Sequence, residues 1–384
     1  MKRINSIDFT RGLVMVIMAI DHCRDLLHIG INPTDLTVTT PALFFTRWIT
    51  HLCAPTFVFL SGTSAYLSYK NQNMGLKESQ RFLLSRGLWL IFLEFTVIGF
   101  ALWFDFKFRM FFLQVIGAIG IGFVILSFLM KLSSKTILII GLVIIFCHNL
   151  LGLLPINNTP FSLLSPLFSF SLFQITPDTT FAIGYPPIPW LGIMLAGYGF
   201  GGVVFDKSQN VRKAALLKLG IGSLALFIVL RFINIYGDPA PWSPQKDALF
   251  TFMSFMNLTK YPPSLLYTLA TLGISFLILY VSDGPKNKFI EITSVYGKVP
   301  LFYYLIHWYL IHTIMFIMLY MQGFSNKDFV FGPFQFGRPQ QPSGLELGGV
   351  YLVWLGVIIS LYPLCKWYST YKAEHRDKKW LRYL

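Results

Sequence analysis

The chain is cut into runs of about 20 mostly apolar residues by short polar breaks, and a run of that length is what an α-helix needs to cross a bilayer. About ten such runs can be placed, near residues 10–28, 44–68, 83–103, 111–130, 136–154, 188–205, 217–235, 264–281, 299–320 and 347–366. Only 12% of the 384 residues are charged, against roughly 25% in a soluble domain, so lipid rather than water is the expected solvent. The expected fold is an all-α polytopic transmembrane helix bundle, a single domain over 1–384. Residues 161–183 are apolar but interrupted by Pro and Ser, and read as an interfacial or re-entrant stretch. Lys2 and Arg3 precede the first run, but no small-residue cleavage site follows, and the run carries Asp21, His22, Arg24 and Asp25. The first run is therefore expected to stay as a membrane helix.

The net charge of +14 would suit a nucleic-acid partner were it gathered on one patch. Instead, most of the Lys and Arg fall at the N-terminus, in alternate loops (Lys70 to Arg86, Lys131 and Lys135, Lys207 to Lys218, Lys286 to Lys298) and in the tail from Lys366 to Arg382. That alternation is the positive-inside pattern, and it predicts an even number of spans with both termini cytoplasmic, here at a plasma (inner) membrane. The basic balance is a topology signal, and no nucleic-acid partner is expected. The four cysteines, Cys23, Cys53, Cys147 and Cys365, sit in or beside apolar runs without a CxxC pattern, so neither a metal site nor a disulfide framework is indicated. The intervening outer loops are rich in Pro, Gly and aromatics, as in "GYPPIPW", "GDPAPWSP" and "KYPPS". Trp242 or Tyr261 could stack there on a sugar ring, or serve only as interfacial belt aromatics. No internal repeat is visible.

Ionisable side chains inside a membrane are costly and usually face a cavity or mark a functional path. The first span is the clearest case. Arg11 and His22 are eleven positions apart, three helical turns to within about 20°, so they share a face and lie roughly 16 Å apart along the axis. Asp8, Met15, Met18 and Asp25 fall within about 40° of the same line. One stripe thus joins an Asp8/Arg11 pair at the inner end to a His22/Asp25 pair at the outer end, although Asp8 and Arg11 could also simply satisfy each other. Elsewhere, Arg47 and His51 are four apart on one helix face, Glu94 sits alone in mid-span, and Gln114 opens the next run. A lone mid-membrane acid needs a partner, which Arg47, His51 or Arg231 could supply. "GKVPLFYYLIHWYLIH" brings Tyr303, Tyr304 and His307 to one side, while His312 points about 140° away and reads as structural.

The first 70 residues, the stretch from "LEFTVIGF" to "FFLQVIGAIG", "PPIPWLGIMLAGYGFGG" and "GKVPLFYYLIH" together resemble bacterial members of the heparan-alpha-glucosaminide N-acetyltransferase catalytic-domain family. The wider superfamily of transmembrane acyltransferases has an Arg-Gly in its first span and a His eleven residues after the Arg, to which Arg11, Gly12 and His22 are similar. "FVFLSG" (Phe57 to Gly62) and "YYLIH" (Tyr303 to His307) also resemble its elements. The resemblance implies acyl transfer from acetyl-CoA on the cytoplasmic side to a sugar or glycan acceptor on the outer side, with no metal. It also implies a catalytic histidine in the loop after the first span, where His28 is the sole histidine; His22 fits by spacing, and the choice between them stays open. In such a scheme Arg11, with Asp8, would hold the CoA phosphates. His22 would act as general base or take the acyl group itself, with Asp25 at i+3 available to orient it, while the neighbouring Asp21 points about 100° away. O- or N-acylation, the acceptor and the oligomeric state stay open, a homodimer included. The rival is a proton-coupled transporter of a small organic or glycan substrate using His22, Glu94 and His307; a non-catalytic assembly protein leaves the stripe without a role.

Overall fold

The computed structural model describes residues 4–30, 32–71, 75–153, 160–284, 287–375 and 377–383. Its helices are α1 (Asn5–Leu27), α2 (Pro41–Asn71), α3 (Leu76–Trp103), α4 (Val115–Leu129), α5 (Ser134–Gly152), α6 (Pro187–Phe205), α7 (Gln209–Ile233), α8 (Ala248–Met256), α9 (Leu265–Ser282), α10 (Lys288–Lys298), α11 (Pro300–Met321) and α12 (Leu347–Glu374). Each run read as a span is helical. Eight of these helices, α2, α3, α5, α6, α7, α9, α11 and α12, are long and apolar enough to cross a membrane. α1 has the length but carries Asp8, Arg11, Asp21, Arg24 and Asp25. The fourth run is shorter than expected, because its first residues leave the helix to form strand β1 (Met110–Leu113).

Residues 161–183 contribute no spanning helix. After a 3-10 turn they make a hairpin of β2 (Ser171–Thr176) and β3 (Thr179–Ile183), and β3 pairs in parallel with β1. The backbone N–H groups of Gly184 and Tyr185 both donate to the Leu113 carbonyl at 3.1 Å, which ties the entry of α6 to the entry of α4.

The bundle has an inside and a lipid side. α2, α6 and α9 are largely enclosed, whereas α5, α7 and α12 present Ile139, Phe232, Leu352 and Ile359 outward. That is the arrangement expected when apolar surface gains nothing by leaving lipid and packing quality decides which helices touch. α2 bends at the 3-10 turn Thr50–Leu52 because Pro55 has no N–H to offer the His51 carbonyl. The freed carbonyl is taken by the Tyr267 hydroxyl on α9 at 2.9 Å.

α1 packs against α10, α11 and α12, with α9 and α2 on its other side. Its crossing with α10 is backbone against backbone. A Cβ placed on Gly12 would lie 2.0 Å from the Thr293 carbonyl oxygen, and one on Gly297 would lie 1.8 Å from that of Asp8. Neither obstacle is a side chain that can swing away. Gly297→Ala is therefore expected to lower stability by about 1–3 kcal/mol or more through overpacking. Thermal denaturation in detergent would measure it, and an unchanged melting temperature would refute this account of the crossing.

Candidate active site

The site is built on α1 and α11, which run in the same direction, with Arg11 level with Gly297 and His22 level with His307. At the Arg11 end a cavity of about 520 Å³ opens between α1, α2, α3, α4, α11 and the end of α12. Its mouth carries Arg11, Arg86, Lys298 and Lys372, and its inner wall is Leu90, Val115, Ile119 and Tyr304. Arg11 donates to Ser64 Oγ at 2.7 Å and to the Gly297 carbonyl at 3.4 Å, and its guanidinium is 3.9 Å from the Asp8 carboxylate. Arg86 Nε is buried, and no group among the described residues accepts a hydrogen bond from it. The sequence did hold a signal for Arg86: it precedes Gly87 as Arg11 precedes Gly12. In both places the glycine lets its helix touch a neighbouring backbone, the Gly120 carbonyl in the case of Gly87, and the arginine beside it is delivered to the cavity.

Tyr304, 3% exposed, lines the inner end of this cavity, and its ring stands nearly perpendicular to that of His22 with centroids 6.3 Å apart. His22 is half-buried, stacked on Trp308 at 3.9 Å, and its Nδ1 lies 2.6 Å from His307 Nε2. His307 Nδ1 lies 3.1 Å from the Tyr303 carbonyl. A carbonyl can only accept, so in the neutral pair His307 carries its proton on Nδ1. Its Nε2 must then accept from His22 Nδ1–H. The chain of hydrogen bonds leaves a lone pair on His22 Nε2, the arrangement of a general base held in one tautomer by a second group. His307 is the hydrogen-bond partner of His22 Nδ1, while both neighbouring acids are paired with arginines. Asp25, 43% exposed at its side chain, pairs with Arg24 at 2.5 Å. Asp21 is buried between Arg24 at 2.8 Å and Arg47 at 3.0 Å.

The other candidates are placed as follows. Arg47 also donates to Thr50 Oγ1 at 3.0 Å, so Asp21, Arg24 and Arg47 form one cluster beside His22. His51, 4% exposed, rests against Tyr267 with its Nδ1 unpartnered. Among the described residues Glu94 has no cationic partner: its two carboxylate oxygens accept the backbone N–H groups of Gln114 at 2.9 Å and Gly117 at 2.8 Å. It caps the positive N-terminus of α4, so the partner is a helix end and not Arg47, His51 or Arg231. Gln114 takes part through its backbone. Arg231 donates instead to the carbonyls of Phe255, Ala240, Ser254 and Asn257 and knits that loop together. Trp242 is likewise engaged, its Nε1 donating to the Arg231 carbonyl at 2.8 Å. His312 is wedged between the carbonyls of Ala101 and Phe336, a structural role.

His28 lies just past the end of α1, 7% exposed, its carbonyl accepting from Arg338 Nη1 at 2.6 Å. Burial, with Arg24 and Arg338 close by, holds its imidazole below the ordinary pKa.

The bundle makes this chain an integral membrane protein, and its sequence places it among acetyltransferase-type enzymes. The chain belongs to the family described as heparan-alpha-glucosaminide N-acetyltransferase, catalytic, whose sequence model matches residues 3–233, more than half of its length. The resemblance read from the motifs is thereby established at the level of the family. No curated protein matches the chain.

Two outcomes follow from this geometry. Glu94→Gln turns one acceptor oxygen into a donor facing a backbone N–H, and should cost about 1–3 kcal/mol of stability. An unaltered melting curve would count against the capping role. For His28, the folded state disfavours the protonated ring. Its contribution to stability is full above the unfolded value of about 6.5 and is lost as pH falls through the lower folded value. The melting temperature of the parent should therefore drop more steeply than that of His28→Asn on going from about pH 7.5 to about pH 5.5; parallel slopes would contradict it.

Proposed function

We propose that the protein transfers an acetyl group from acetyl-CoA, entering the basic cavity at the Arg11 end, to a sugar or glycan acceptor presented at the His22 end. The loop charges support placing the Arg11 end and both termini in the cytoplasm of a cell whose plasma membrane the bundle spans. The observation that carries the proposal is that Tyr304 belongs both to the wall of the basic cavity and to the surroundings of His22, whose Nε2 keeps a lone pair.

Arg11 and Arg86, as fixed cations with planar donors, suit phosphate groups at the mouth, and the buried, unpartnered Nε of Arg86 is a donor in want of an acceptor. The apolar inner wall suits the pantetheine arm, which would carry the thioester toward Tyr304. His22 Nε2 takes a proton from the acceptor hydroxyl or amine as that oxygen or nitrogen attacks the thioester carbonyl. The C–S bond then breaks, and the departing thiolate receives the proton from His22. His307 and the Tyr303 carbonyl hold the imidazole throughout, and the Trp308 ring stacked on it limits its rotation.

Binding and transfer should separate by end. Arg11→Ala or Arg86→Ala should weaken acetyl-CoA binding by about 10- to 100-fold. His22→Ala should leave that binding intact and reduce transfer by roughly 100- to 10,000-fold. Radiolabelled acetyl-CoA with the purified protein, first alone and then with a panel of amino sugars and polyols, measures both. A parent without affinity for acetyl-CoA would remove the donor from the scheme and leave the stripe to a proton-coupled translocation path.

A further inference from the structure

α3 faces lipid over much of its length, and on that side its side chains follow an order. Arg81, Ser85, Leu88 and Phe92 are spaced four, three and four apart, so they share one helix face, and Trp89 adjoins them. Arg81 is exposed at the end of α3 nearer the cavity mouth, Ser85 is half-buried, and Leu88 and Phe92 are 54% and 55% exposed. Beyond α12 the chain's tail makes the 3-10 turn Lys379–Arg382 and seats on this helix. The Arg382 guanidinium lies 4.5 Å above the Phe82 ring, and the Tyr383 ring meets Phe82 edge-on at 5.6 Å. Ser85 Oγ donates its proton to the Phe82 carbonyl at 3.0 Å, so the Tyr383 hydroxyl is the donor in its 2.8 Å bond to Ser85 Oγ. Between helix and tail runs an open groove of about 490 Å³, lined by Ser85, Leu88, Trp89, Phe92, Trp380 and Tyr383.

The groove has the polarity of a phospholipid laid along it. Arg81 and Arg382 stand at its head, the Ser85 and Tyr383 hydroxyls come next, and Leu88, Trp89, Phe92 and Trp380 make the apolar remainder. Arg81 and Phe92 are eleven residues apart, roughly 16 Å along the axis, which matches the roughly 15 Å hydrocarbon depth of one leaflet. The first two turns of α3 and the tail that covers them carry Lys77, Arg81, Lys378 and Arg382 against Glu78 and Asp377. A zwitterionic headgroup offers this excess no net charge, whereas an anionic one does. We propose that the groove is a binding site for an anionic phospholipid of the surrounding bilayer. Its phosphodiester sits between Arg81 and Arg382, and one acyl chain lies along Leu88, Trp89 and Phe92 against Trp380. Arg86, the residue after Ser85, enters the cavity from the same turn of α3, so the lipid clamps the tail onto a wall that carries a cavity cation. This binding is independent of the reaction proposed above.

Tryptophan quenching tests it on the purified full-length protein in phosphatidylcholine vesicles. A dibrominated lipid, either phosphatidylglycerol or phosphatidylcholine, is added at equal mole fraction, and the difference between the parent and Trp380→Phe isolates the signal from the groove. Brominated phosphatidylglycerol should quench that signal with a relative affinity at least roughly 10-fold above that of brominated phosphatidylcholine, since two cations each contribute about a 5-fold preference. Arg382→Gln should reduce the preference by about 5-fold. Inorganic phosphate at constant ionic strength should leave it unchanged, because the chain is held together with the headgroup. Equal quenching by the two brominated lipids, or a full preference in Arg382→Gln, would overturn the site. Relief by inorganic phosphate would also refute it, by showing an anion site that needs no lipid. Should Arg382→Gln fail to fold or free the tail from Phe82, the exposed Arg81 is changed instead: Arg81→Gln should cost the same 5-fold, and an undiminished preference there would equally exclude the proposal.

Discussion

The constraint on which the rest of this structure depends is that α1 cannot face lipid. It carries Asp8, Arg11, Asp21, Arg24 and Asp25 within a length that reaches across a bilayer, and each would be expensive in hydrocarbon. The bundle solves this by wrapping α1 in α2, α9, α10, α11 and α12. The contact with α10 is closest, at the Gly12–Gly297 crossing, and it sets the height of α1 against α11. Once that height is set, Arg11 meets the cavity mouth and His22 meets His307.

The two ends of α1 are satisfied by different physics. At the Arg11 end the charges border a cavity large enough to admit a ligand, and the guanidinium is steadied by Ser64 and Asp8. At the other end the charges are locked into one another, Asp21 serving two arginines, while His22 looks across to a second histidine. An acid against His22 would favour the imidazolium. A neutral histidine whose far nitrogen is committed to a carbonyl instead fixes the tautomer without adding charge, which leaves the free nitrogen able to accept a proton. Tyr304, shared by the cavity wall and the His22 surroundings, joins the two ends.

Much of this was legible in the chain. Every helix read as a span is present because hydrophobic length is a one-dimensional quantity. The fourth run was over-read because its opening residues, Phe111 to Leu113, are as suited to a strand as to a helix. The helical stripe from Arg11 to His22 followed from periodicity alone. The partner of Glu94 did not, because backbone N–H groups at a helix start have no letter in the sequence. The pairing of His307 with His22 was hidden for a related reason: the two lie 285 residues apart, and nothing local relates them.

By itself the sequence determined that the chain lives in a membrane, roughly how many helices it threads there, and that the first of them carries charges aligned on one face. These are consequences of composition and of the 3.6-residue repeat, which act along the chain. The tertiary structure decided which charges meet: Asp21 with two arginines, Glu94 with a helix end, His22 with His307, and Lys260 with the Tyr261 ring. Those pairings depend on how close helices approach. That distance is governed by where glycines such as Gly12 and Gly297 fall opposite one another, which is a property of the packed bundle and not of any segment in it.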